Sequence, residues 1–179
     1  MPHNQLKKYP ELLEILHLSE HSRNTSLRRI FDRDITFNEN FKFLKKQIRP
    51  VKKDGEANLA TVFNHLTKKE IIEVDDEGNK IRRRVFESYR AHRLHWVKPH
   101  IAEEINDDIV VFSAEERDQR KRKNVYRTYI HNRTEKYVII LEPQNSGMDY
   151  YLLTAYHLNE KKGREQIRKK WKKRLNDIL

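Results

Sequence analysis

Cysteine is absent from the 179 residues and glycine occurs only four times. Without thiols there are no disulfides, thiolate nucleophiles or cysteine-bound zinc, which suits a reducing compartment and sets the expectation of a cytoplasmic protein. Any metal site would have to use histidine and carboxylate. Gly55, Gly78, Gly147 and Gly163 stand far apart, whereas phosphate-cradling loops need closely spaced glycines, which argues against Walker-type and dinucleotide chemistry. No apolar run approaches the roughly 20 residues that span a bilayer. Lys7, Lys8, Glu11 and Glu14 also interrupt the start, where a secretion signal would be apolar. Neither a membrane partner nor a cofactor is expected.

What the chain has in abundance is charge: 38 Lys and Arg against 27 Asp and Glu, a formal +11 with histidines neutral. Seven Phe, eight Tyr and two Trp spread along it set it apart from disordered basic tails, which are poor in aromatics. The length allows one core or two small ones. The positive charge is concentrated. Between Lys161 and Arg174 nine basic residues meet one acid, Glu165, so this stretch contributes +8. Ile167, Trp171, Leu175 and Ile178 recur at helical spacing, giving an apolar stripe for docking and a cationic face for water. Arg117, Arg120, Lys121, Arg122 and Lys123 read as a basic loop, and Arg82 to Arg84 form a third cluster. Each run alone could be a solvated face. Three together favour a polyanionic partner, most simply nucleic acid.

Hydrophobic spacing predicts helices over 6–18, 22–31 and 56–66, and short strands or irregular chain around Phe41 to Val51. It also predicts a hairpin turning at Asp75 to Asn79. Tyr89, Leu94, Val97, Ile101 and Ile105 line another helix, which Pro99 should kink or break. Strands follow at 109–112, 125–130, 136–142 and 150–158, with connections short enough for an antiparallel meander. The expected class is α+β: helices, a four-stranded antiparallel meander and a basic C-terminal helix, preceded by a smaller mixed region. Residues 1–84 form that region, of unassigned role, and 85–179 the domain that carries the motifs.

Among motifs, H-E-x-x-H and G-x-S-x-G are missing. Glu142-Pro143-Gln144 lacks the lysine that a metal nuclease with Glu-x-Lys would place at a strand end. His92 and His95 could share a helical face as metal ligands, but no third ligand is evident. Arg93-Leu-His-Trp-Val-Lys-Pro99 packs a guanidinium, an imidazole and an ammonium beside Trp96. In the bland reading Leu94 and Val97 are core and the polar residues face water. RNA cleavage needs a base for the 2′-hydroxyl, an acid for the leaving oxygen and cations over the phosphorane, all of which His, Lys, Arg and Tyr supply without metal. Strand alternation puts Arg127, Tyr129 and His131 on one face. A turn centred on Arg133-Thr134 would place Arg127 opposite Ile140.

The ordered set Arg93-Leu-His-Trp-Val-Lys-Pro-His-Ile101, Arg127-Thr-Tyr-Ile130, Tyr137-Val-Ile-Ile-Leu141, Tyr150-Tyr-Leu-Leu-Thr-Ala-Tyr156 and the basic stretch 164–174 resembles the phage and polymorphic-toxin nucleases of the barnase, EndoU, colicin and RelE-like (BECR) superfamily. The resemblance covers about the last 95 residues and implies a metal-independent endoribonuclease toxin that cuts RNA, tRNA included, by transesterification. An immunity protein or antitoxin, here expected to be acidic, would neutralise it. It implies catalytic roles for His95 (base or acid), for Lys98, Arg93 and Arg127 (cations on the phosphate), and for Thr154 and Tyr156 (hydroxyl donors). Arg164, Arg168, Lys169, Lys172, Arg120, Lys121 and Arg122 are the expected RNA-binding residues. The alternatives are a basic nucleic-acid-binding protein without catalysis and a phage structural or interaction protein.

Overall fold

The computed structural model describes residues 3–50, 52–53, 56–118, 122–144 and 147–179. The helices are α1 (His3–Leu6), α2 (Glu20–Phe31), α3 (Leu59–Thr67), α4 (Ser88–Ala91), α5 (Val97–Ile101) and α6 (Lys161–Lys172). A π-helical turn, Asp32–Thr36, extends α2, and a 3-10 turn, Leu94–Trp96, leads into α5. The strands are β1 (Lys42–Phe43), β2 (Lys46–Pro50), β3 (Lys52–Lys53), β4 (Glu56–Ala57), β5 (Lys68–Val74), β6 (Lys80–Phe86), β7 (Ile109–Asp118), β8 (Lys123–Asn132), β9 (Tyr137–Pro143) and β10 (Asp149–His157). The class is α+β, as its sequence predicts.

The meander β7 to β10 is antiparallel throughout, and β2 adds to β10 in parallel, giving the six-stranded order β1-β2-β10-β9-β8-β7. The N-terminal residues therefore contribute two strands to the main sheet. They also share its core, since Leu27, Phe31, Phe43 and Val62 pack in one buried cluster with Leu94, Trp96, Ile139 and Leu141. The division at residue 84 follows no packing boundary. A second, smaller cluster on the opposite sheet face joins Phe112, Tyr129, Val138 and Ile140 to Leu158 and Ile167, with Trp171 packed against it.

Local causes are clear at several elements. Ser19 caps α2 by accepting from the Ser22 amide, and Asn58 caps α3 through Thr61 at 2.8 Å. Gly78, at φ +83°, makes the β5–β6 turn.

The helix expected over 56–66 begins only at Leu59, because Glu56–Ala57 pair as β4, and three further helix expectations change. Only His3–Leu6 is helical within 3–18, because the Asn4 side chain bonds both backbone groups of Glu14, at 2.8 and 3.0 Å, and holds the later part extended. Leu13 and Ile15 then point inward while Leu12 and Leu16 are exposed, a period of two. The break in the 89–105 helix falls at His92–Arg93 rather than at Pro99. Proline sits in the first turn of α5, where a missing N–H costs nothing. Helix α6 stops at Lys172, so Leu175 and Ile178 lie beyond it, and the Leu175 amide donates to Ser113 O at the free edge of β7.

The β8–β9 turn is also longer than the spacing suggests. Asn132 pairs with Tyr137 and Tyr129 with Ile140, which moves Arg127 two residues along, to the row of Glu142. An even offset keeps every side chain on its expected face.

Candidate active site

On the α6 side of the sheet, strand alternation brings Arg127, Tyr129 and His131 to one face. There Arg127 is ion-paired with Asp118 at 3.1 Å and Glu116 at 3.8 Å. Lys170 of α6 reaches the same Glu116 and donates to Tyr129 OH at 2.8 Å. The Arg127 charge is thus compensated by two carboxylates within the fold, which lowers its attraction for an outside phosphate.

On its β2 side, β10 has no strand partner beyond Leu152, and α3 with α4 close that edge. His65 Nδ1 lies 3.0 Å from Leu153 O and its Nε2 lies 2.8 Å from Arg84 Nη2, so Nδ1 carries the proton and Nε2 accepts. Arg90 donates to the carbonyls of His65 and Lys68 at 2.7 and 2.9 Å, and Thr154 Oγ1 donates to His65 O at 3.0 Å. These bonds staple α3 and β5 to the sheet. They follow a shift of register between Leu152 and Thr154 that turns the Thr154 hydroxyl to this edge.

Beside the staple, where β10 meets the start of α6, a cleft of about 160 Å³ is lined by Lys69, Glu87, Arg90, Tyr156, His157, Leu158, Asn159, Glu160 and Gly163. Glu87 is fixed by accepting from the amides of Tyr89 and Arg90, at 3.3 and 2.8 Å, as the cap of α4. The Arg90 guanidinium carbon stands 5.3 Å from the Tyr156 ring centre. Burial, and then the charges of Arg93, Lys136 and Arg164, push His157 down to about 4. Burial raises Tyr156, with Arg90 opposing. The result is a neutral imidazole in a field of cations, with its Nδ1 buried and without a hydrogen-bond partner among the described residues. Such a group is poised for an anion: a phosphate would offset the surrounding charges and raise the proton affinity of the ring.

The residues singled out in the sequence fall in different places. His95 is 3% exposed, lies beneath the Lys8 to Glu11 segment, and is lowered to about 4 by burial. It lines, with Lys98, Arg33 and Asp34, a cleft of about 690 Å³ on the helical side of the sheet. Asp34 there is already paired with Arg33 at 2.6 Å. His95 and Lys98 are therefore not brought together with Arg127, Thr154 and Tyr156, and the six residues do not make one constellation. Arg93 lies on the His157 side, with its guanidinium 5.0 Å from the Trp96 ring centre and donating to Tyr89 O. Tyr156 lines the cleft, and Arg164 stands near it. Arg168, Lys169 and Lys172 are exposed on α6, and Arg122 is exposed at the start of β8. Arg120 and Lys121 lie outside the described residues.

Composition alone did not point to His157, Arg90, Glu87 and Lys69. The one signal was the Tyr156-His157 pair at a strand end just before the basic helix. Among the described residues no three His, Asp or Glu side chains converge as a metal site. No family model matches the chain, and comparison with curated proteins and with solved structures returns no match.

Proposed function

We propose that the chain is an endoribonuclease that cleaves RNA by transesterification at the His157 cleft. The observation that carries this reading is the neutral imidazole of His157, its buried Nδ1 without a hydrogen-bond partner among the described residues, set among Arg90, Arg93, Lys136 and Arg164. The BECR resemblance of the motif set implies the same chemistry, although of its six catalytic positions Tyr156 alone lines this cleft.

In this mechanism His157 takes the proton of a ribose 2′-hydroxyl. The 2′-oxygen attacks phosphorus, forming the 2′-O–P bond, and the P–O5′ bond breaks. The leaving 5′-oxygen takes a proton from Lys69, and the products are a 2′,3′-cyclic phosphate and a 5′-hydroxyl. Arg90, on the cleft lining, meets the charge that grows on the phosphoryl oxygens, and Arg93 behind the imidazole adds to the positive field. The substrate itself corrects the low proton affinity of His157, since its negative charge stabilises the imidazolium. Helix α6 holds the RNA backbone, and the +8 stretch from Lys161 to Arg174 that contains it also suits an acidic neutralising partner.

Incubation of the purified protein with total tRNA in EDTA tests this reading. Cleavage that disappears in His157→Ala and falls in Lys69→Ala is the expected result. RNA left intact from acid to mildly alkaline pH would overturn it. Salt-sensitive binding without cleavage would favour the non-catalytic alternative, which the exposed charges of α6 support.

A further inference from the structure

A second cavity, of about 310 Å³, opens between α6 and the β8–β9 turn. One wall is apolar, made by Leu158, Ile167 and Trp171. The rim is cationic: Arg133, Lys136, Arg164 and Arg168 line it, and no carboxylate does. Among the described residues, no ion pair engages Lys136, Arg164 or Arg168. Arg164 is held in place instead by donating to the carbonyls of Leu158 and Asn159, at 3.0 and 2.8 Å. The Trp171 indole already carries flat cations, with the guanidiniums of Arg174 and Arg133 at 4.2 and 5.1 Å from its centre.

These properties specify a ligand. Cations with no internal counter-charge ask for an anion, but an apolar wall of this size is wasted on a bare phosphate. The volume sits at the low end of small-ligand sites, which start near about 300 Å³. A flat aromatic group bearing a phosphate meets both demands, with His131 on the lining to hydrogen-bond its polar edge. Bases inside a duplex cannot enter such a cavity, whereas single strands splay theirs onto aromatic and guanidinium planes.

We propose that this cavity seats one nucleotide of a single-stranded RNA, its base against Trp171, Ile167 and Leu158 and its phosphate among Lys136, Arg164 and Arg168. The cavity shares Leu158 with the His157 cleft, so the seated nucleotide neighbours the scissile phosphate. This inference deepens the nuclease reading, and rests on it for the strand being RNA.

Intrinsic fluorescence tests it, because Trp96 is 1% exposed and Trp171 is the partly exposed tryptophan. His157→Ala, which leaves the cavity intact, is titrated with AMP, UMP, ribose 5-phosphate and inorganic phosphate. Saturable quenching by a nucleoside monophosphate, at least about tenfold tighter than by ribose 5-phosphate, is expected. The quench should weaken strongly in Arg168→Glu and in Arg133→Glu, both exposed positions, with circular dichroism confirming the fold. A 2′-O-methyl single strand should compete and the matching duplex should not. Equal binding of ribose 5-phosphate and the nucleotides, or no saturable quenching, overturns the proposal. Quenching without tRNA cleavage by the wild-type protein keeps the cavity assignment and removes the nuclease reading. Cleavage without a base preference does the reverse.

Discussion

His157 lies nearly parallel to the ring of Tyr89, with centroids 5.8 Å apart and planes 10° apart. The stack fixes the imidazole plane at the end of β10, beside cations that come from α4, the β8–β9 turn and α6. A catalytic base needs this kind of restraint, because misplacement by about an ångström can cost a hundredfold in rate. Tyr89→Ala should lower kcat while leaving RNA affinity nearly unchanged, and Tyr89→Phe should restore it. Single-turnover kinetics on a short RNA would separate the two.

Proton affinity supplies a second prediction. In the free protein His157 should titrate at about 4, against an ordinary value of 6.5. Adding inorganic phosphate or a 2′-O-methyl oligonucleotide should raise it, because the anion offsets the charges of Arg93, Lys136 and Arg164. Histidine ring resonances followed by NMR from pH 3 to 8 would show this. A value indifferent to the anion would argue that phosphate does not enter the cleft.

Stability should fall in acid for the same physical reason. His95 is 3% exposed and also depressed to about 4 from 6.5. Between those values the unfolded chain binds the proton and the folded one does not. Its contribution is therefore complete above 6.5, is lost as pH falls toward 4, and is flat below. A tenfold difference in proton affinity is worth about 1.4 kcal/mol, so His95 alone accounts for roughly 3 kcal/mol. Urea midpoints at pH 7.5 and 4.5 should differ accordingly, and His95→Gln should shrink the difference.

A buried polar network gives a fourth expectation. Asn132 is fully buried, and its side-chain nitrogen lies 2.8 Å from Asp107 Oδ2 and 3.0 Å from both Tyr9 OH and His100 Nε2. Tyr9 also donates to Asp107, and His100 Nδ1 donates to Trp96 O at 2.7 Å. This network ties the N-terminal segment to β8. Asn132→Leu would remove the bonds to Tyr9, His100, Asp107 and the Glu135 amide at once, and a loss of about 2–4 kcal/mol is expected from urea unfolding.

Much of the fold was legible because periodicity and short turns are local signals. The meander, the hairpin at Asp75 to Asn79 and the docking residue Ile167 follow from spacing alone. The stretch from 6 to 18 was not legible, because its leucines also fit a helix and only the contact of Asn4 with Glu14 decides otherwise. Nor could spacing reveal that β2 pairs with β10, a contact about 100 positions distant in sequence. At the site, Arg93, Tyr156 and Arg164 were reached from the sequence, whereas His157 was not. Its significance comes from burial and from cations brought by three separate elements, which no linear spacing encodes. His95 stood out in the motif, but its burial beneath Lys8 to Glu11 became visible only in three dimensions.

The most direct measurement is the end chemistry of a short single-stranded RNA incubated in EDTA with the wild-type protein and with His157→Ala, followed by mass spectrometry. The account predicts a 2′,3′-cyclic phosphate on the 5′ fragment and a 5′-hydroxyl on the other with the wild type, and neither with the variant. Intact RNA with both proteins, or equal cleavage by both, would contradict it.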